Sequence, residues 1–194
     1  MKIKISIFAV MLVISLILYT NLSIAVILFP ALLHELGHIF AARCRRVRIS
    51  SLTVDVLGAR ITLVEQTYSY SDEIIICACG PLVNLVCAAL CYIYTIRFGN
   101  NEYLDLFISS SLSLGIVNLL PIRTFDGGRI IRGFLIYFID YNAVEKLLSV
   151  ISFLLLFSIW CFSVYLLLRS SSSLSLFIFS ISMFKNIFIE KNFE

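Results

Sequence analysis

Two histidines four residues apart, with a glutamate directly after the first, stand in the otherwise apolar stretch ALLHELGHIF at residues 31–40. On an α-helix, positions four apart share one face about one turn from each other, so the His34 and His38 imidazoles can reach a single ion. Glu35 is rotated by about 100° from His34, where it is better placed to take a proton from water than to ligate. The chemistry this supports is metal-assisted hydrolysis, with zinc as the ion that imidazole suits.

These are the only two histidines in the chain. Two residues scattered at random over such a length fall four apart in roughly one per cent of arrangements. Energy argues the same way. Two imidazoles and a carboxylate inside an apolar span cost several kcal/mol, roughly, on insertion scales. A cation held by neutral imidazoles beside a carboxylate relieves much of that cost.

A catalytic zinc takes three protein ligands and leaves one position open. The third ligand cannot be histidine, because none remains. Asp126 lies in NLLPIRTFDGG, residues 118–128, where Pro121 and two glycines break the chain after an apolar segment. Broken backbone at membrane depth is tolerated where protein or a cavity covers it, so Asp126 is the expected third ligand. Its alternative role is to cap the helix that follows Gly128. Asn84 and Asn118 are amides inside apolar segments. They are expected to stabilise an oxyanion or hold substrate backbone, and the alternative is hydrogen bonding between helices.

The elements that position these groups are membrane spans. The chain is 60% hydrophobic and only 14% charged, and the apolar residues come in long blocks. The expected fold is an all-α polytopic membrane protein of about six transmembrane helices, forming a single domain over 1–194. The motif core covers about 24–132, with peripheral helices at 5–22, 144–168 and 174–189. The core spans fall at 24–42, 72–97 and 103–120, and a short helix follows at about 129–139. Residues 47–66 alternate apolar and polar around Gly58, which predicts a small β-hairpin on the cytosolic side after the second span. A net charge of +3 without basic clusters on a soluble face excludes nucleic acid as a partner. The six cysteines show no zinc-site spacing and read as small buried hydrophobes.

Lys2, Lys4, the cluster Arg43–Arg48, Arg123, Arg129, Arg132, Lys185 and Lys191 all fall on one side of such a bundle. The excess of positive charge places both termini in the cytosol of a multi-pass cell-membrane protein. Counting back from Arg43, His38 and His34 lie about 7 and 14 Å inside the cytosolic edge. A substrate would therefore be cut near its cytosolic end.

The sequence resembles the site-2 protease family of intramembrane zinc metalloproteases. HELGH matches the family's first motif, and Asn118, Pro121, Asp126 and Gly127 match its second at the family's spacing. Gly80, Pro81 and Asn84 match a Gly-Pro-x-x-Asn element in the intervening span. The hairpin after the first motif is similar to the bacterial branch typified by the sporulation protease that processes a pro-sigma factor, although no CBS domain and no PDZ insert are seen in these residues.

The resemblance implies one zinc per chain on His34, His38 and Asp126, with Glu35 as general base. It also implies hydrolysis of a peptide bond in or near a transmembrane segment of a membrane-protein substrate. The expected partners are that substrate, the lipid bilayer and a regulatory membrane protein; oligomeric state is open. The hairpin edge could pair with the unwound substrate by strand addition. Two other readings compete: a non-catalytic receptor or scaffold with a structural metal, which would not need Glu35, and a transporter, which would be expected to show internal repeats.

Overall fold

A computed structural model of the chain describes residues 2–5, 22–47, 49–55, 58–63, 69–169 and 181. The chain divides into two compact units, Met1–Leu120 and Pro121–Glu194.

In the first unit, helix α1 runs over Leu22–Cys44, α2 over Tyr70–Phe98 and α3 over Glu102–Asn118, and each packs on the other two. Local chemistry sets their ends. Arg46 adopts the left-handed conformation (φ 58°) just past α1. The Val47 N–H then bonds back to the Ala42 carbonyl at 2.9 Å, and the Arg46 N–H to the Arg43 carbonyl at 3.0 Å. This pair of bonds is a Schellman closure, and it buries Val47 in the cluster formed by Ala41, Ala42 and Ile76. At the start of α2, the Asp72 carboxylate accepts from the Ser69 N–H at 3.1 Å and from Arg45 Nε at 2.6 Å. One acidic side chain thus caps α2 and ties it to the end of α1. The Gly99 N–H, at φ 100°, closes α2 on the Thr95 carbonyl. The Asn101 side chain opens α3 by accepting from the Tyr103 N–H.

The strands β1 (Lys2–Ile5), β2 (Ile49–Asp55) and β3 (Gly58–Leu63) form one sheet in that order. β1 runs parallel to β2, with Lys2 opposite Ser51, and β2 runs antiparallel to β3, with Leu52 opposite Ile61. The amino-terminal strand is therefore joined to the segment that follows the basic end of α1.

In the second unit, α4 (Asp126–Leu135) packs on α5 (Tyr141–Arg169). Phe125 is the residue before α4, so the helix begins at Asp126, and the alternative role of Asp126, capping a helix after Gly128, is not seen. Asp126 sits in the first turn, where the helix dipole favours a carboxylate.

The expected all-helical bundle of about six spans is corrected. Among the described residues, three helices are long and apolar enough to cross a membrane: Leu22–Cys44, Tyr70–Phe98 and Tyr141–Arg169. The segment read as a fourth span forms α3, whose 17 residues reach about 25 Å, short of a hydrocarbon core about 30 Å thick. The expected peripheral helices 5–22 and 174–189 lie, apart from single residues, outside the described residues. The two-stranded hairpin is also corrected, since residues 49–63 hold two strands of a three-stranded mixed sheet. Lys2–Ile5 supplies the third. Its alternation of lysine and isoleucine is a strand pattern, and its position beside an apolar run disguised it as the charged flank of a span.

Candidate metal centre

His34 and His38 are both buried on the face of α1 that packs on α2. Their ring centroids are 4.7 Å apart and the rings stand edge to face at 87°. The His38 Nδ1 lies 2.8 Å from the Ile76 carbonyl oxygen on α2. A carbonyl only accepts, so Nδ1 must carry the proton and Nε2 presents its lone pair. The neighbour of His34 is an amide instead: Asn84 Nδ2 lies 3.3 Å from His34 Nδ1. In both rings Nδ1 faces a group of α2, a backbone carbonyl for His38 and a side-chain amide for His34.

Gly80 makes room for this arrangement. A β-carbon there would fall inside the van der Waals envelope of the His38 ring and 3.0 Å from His34 Cε1. Gly37 permits the close approach of the helices one step away, since a β-carbon there would sit 2.9 Å from the Cys79 carbonyl oxygen. Pro81 follows in the same buried stretch of α2. Glu35 is half-buried, one position round α1 from His34.

In the second unit, Asp126 is buried at the start of α4, together with Gly127 and Gly128. A β-carbon on Gly128 would overlap the Ile122 carbonyl, so glycine lets the first turn of α4 lie against the bend that precedes it. Helix α5 braces that bend. The Arg123 N–H donates to the Ser152 hydroxyl at 2.8 Å, and the fully buried Ser152 donates in turn to the Leu148 carbonyl at 2.6 Å. The Arg123 guanidinium pairs with Glu145 at 2.7 Å, and Arg132 reaches the same carboxylate at 3.7 Å. In the first unit, the Asn118 side chain donates to the Leu114 carbonyl of its own helix at 3.1 Å.

A family model described as peptidase family M50 matches residues 22–99 and 94–159, which takes in α1 to α4 and most of α5. The chain belongs to peptidase family M50. Putative zinc metalloprotease Rip3 of Mycobacterium tuberculosis, found in two strains, is 31% identical over 119 residues. That match covers 57% of this chain and 30% of the relative, so the chain spans less than a third of that protein's length. A site-2 protease from Methanocaldococcus jannaschii has a similar fold, with a TM-score of 0.65 at 24% identity, over 95% of this chain and 88% of that one.

The M50 assignment and the three long apolar helices make this a membrane protein. Zinc is the cofactor that the M50 donors fit: two buried imidazoles four residues apart, packed against Gly80, where any β-carbon would meet both rings. Sequence reasoning does not single out Gly80 as the cradle of the imidazoles, nor Ser152 and Glu145 as the brace. The backbone carbonyl of Ile76 carries no sequence signal at all.

Proposed function

We propose that this chain is an intramembrane zinc metalloprotease, hydrolysing a peptide bond in or near a transmembrane segment of a membrane-protein substrate. The reading is carried by the buried His34–His38 pair, whose rings are held from α2 in a chain of peptidase family M50. Asp126 supplies the third ligand. What supports this is a donor set of the right kind, two imidazoles and one carboxylate, all three buried, with the aspartate held at a braced bend. The chain then acts as one functional domain over 1–194.

Zinc, when bound, would be held by His34, His38 and Asp126 and would supply Lewis acidity towards the scissile carbonyl and the attacking water. Glu35 takes the proton from that water and hands it to the leaving amine. The Asn118 amide, with one N–H on the Leu114 carbonyl, keeps a second N–H for the developing oxyanion. The apolar surround of α1 and α2 limits bulk water, which strengthens each of these interactions.

The protein is a multi-pass cell-membrane protein with both termini in the cytosol. Lys2, Lys4 and the Arg43–Arg48 cluster support this orientation, and β1 pairs with β2 next to that basic cluster. Cleavage then falls near the cytosolic face.

The test compares membranes from cells making the wild type with membranes from cells making Glu35→Gln. The variant keeps its zinc, loses cleavage, and leaves an uncut membrane protein to accumulate. A Glu35→Gln chain that retains zinc with an unchanged membrane proteome would favour a scaffold with a structural metal.

A further inference from the structure

We infer that Asn84 is a positioning residue whose side-chain oxygen accepts a hydrogen bond from His34 Nδ1–H, so fixing the tautomer in which His34 Nε2 can ligate zinc. The inference rests on the zinc site proposed above. It assigns Asn84 to the ring behind the metal, and leaves the oxyanion to Asn118.

Three observations meet on this side chain. Asn84 is fully buried, at 0% exposure. Its amide nitrogen is set 3.3 Å from His34 Nδ1. Its amide oxygen is buried with no hydrogen-bond partner among the described residues. In that orientation the amide donates to Nδ1, which places the ring proton on Nε2 and blocks the ligand position. It also leaves a buried carbonyl oxygen unsatisfied, at a cost of about 1–3 kcal/mol.

Oxygen and nitrogen of an amide differ little in shape, so their placement is decided by the hydrogen bonds they make. Rotating the amide by half a turn puts Oδ1 against Nδ1. The ring then donates, the oxygen gains its partner, and the ring proton sits on Nδ1, not on Nε2. His38 provides the internal comparison, because the Ile76 carbonyl at its Nδ1 admits only this tautomer. If both rings turn Nε2 to one ion, both need the proton on Nδ1, and α2 can supply an acceptor to each: a backbone carbonyl from Ile76 and a side-chain carbonyl from Asn84. Acceptors of this kind behind ligating histidines are worth about 10–100-fold in metal affinity.

The test separates an acceptor from a donor at this position. An ionised carboxylate only accepts. Asn84→Asp therefore keeps zinc affinity within about threefold of wild type or tightens it, whereas Asn84→Leu weakens it at least about tenfold. Affinity is read by competition with a chromophoric chelator in detergent, without any substrate. Ring ¹⁵N-labelled histidine gives a second readout on the wild-type chain, where only two imidazoles contribute. Both rings should carry the proton on Nδ1 in the zinc-loaded and zinc-free neutral forms. Loss of zinc in Asn84→Asp equal to that in Asn84→Leu, or an Nε2-protonated His34 in the neutral zinc-free wild type, overturns the assignment. If Asn84→Leu does not fold, the aspartate variant and the ¹⁵N spectrum still decide. A chain that shows this pattern yet cleaves nothing would overturn the protease reading and leave the hydrogen bond standing.

Discussion

The α-carbon of Gly80 faces the imidazole of His38 so closely that no side chain can stand between them. The glycine therefore shapes the seat of the two imidazoles although it carries no functional group. Gly80→Ala should push the His38 ring away from the Ile76 carbonyl and lower zinc affinity by more than about tenfold, the scale of a lost hydrogen bond behind a ligating histidine. The helices should stay assembled, since overpacking by one methyl costs about 1–3 kcal/mol. Zinc content after dialysis, set beside circular dichroism, checks both halves of the statement.

Metal removal should destabilise as well as inactivate. A ligand at about a hundred times its Kd stabilises the folded state by about 2.7 kcal/mol. Zinc should therefore raise the unfolding temperature of the wild type, and a strong chelator should lower it. His38→Ala and Asp126→Asn should each remove most of that zinc-dependent shift. An Asp126→Asn chain whose shift equals that of the wild type would remove Asp126 from the ligand set.

The brace on α5 predicts an effect far from any ligand. Ser152→Ala leaves the Arg123 N–H without its acceptor, which should cost about 1–3 kcal/mol. Gly128→Ala should cost at least as much, because its β-carbon meets the backbone of Ile122, which cannot move aside as a side chain would. Both should loosen zinc binding in proportion to the disturbance of the bend, and denaturation in detergent with parallel zinc titration measures the two together.

Arg46 offers a change in the opposite direction. A non-glycine residue in the left-handed region costs about 1 kcal/mol, and the Schellman closure at this point uses only backbone groups. Arg46→Gly should raise stability by up to about 1 kcal/mol without altering zinc affinity. Thermal unfolding of the two proteins, each with zinc bound, would show it.

The histidine pair was legible because the helical repeat and the choice of side chain agree: two imidazoles four apart have one face in common, and little else explains them in an apolar run. Asp126 stood out through the broken backbone around it. The α2 helix was legible as an element, and Gly80, Pro81 and Asn84 as a pattern, but what Gly80 does there was not. That depends on how near α2 comes to α1, a distance that no one-dimensional spacing encodes. Ser152 and Glu145 were silent for a related reason, since a serine within a span and a glutamate near its start have many ordinary uses. The strand at Lys2–Ile5 was hidden by competition. Its short alternation borders a long apolar stretch, and the stronger hydrophobic signal absorbed it.

At Gly37, beside the histidines, a β-carbon would come within 2.9 Å of the Cys79 carbonyl oxygen. Backbone lies close to backbone there, with the Val83 side chain alongside, so a larger residue at position 37 would pry α1 from α2 and disturb the imidazole pair beside it.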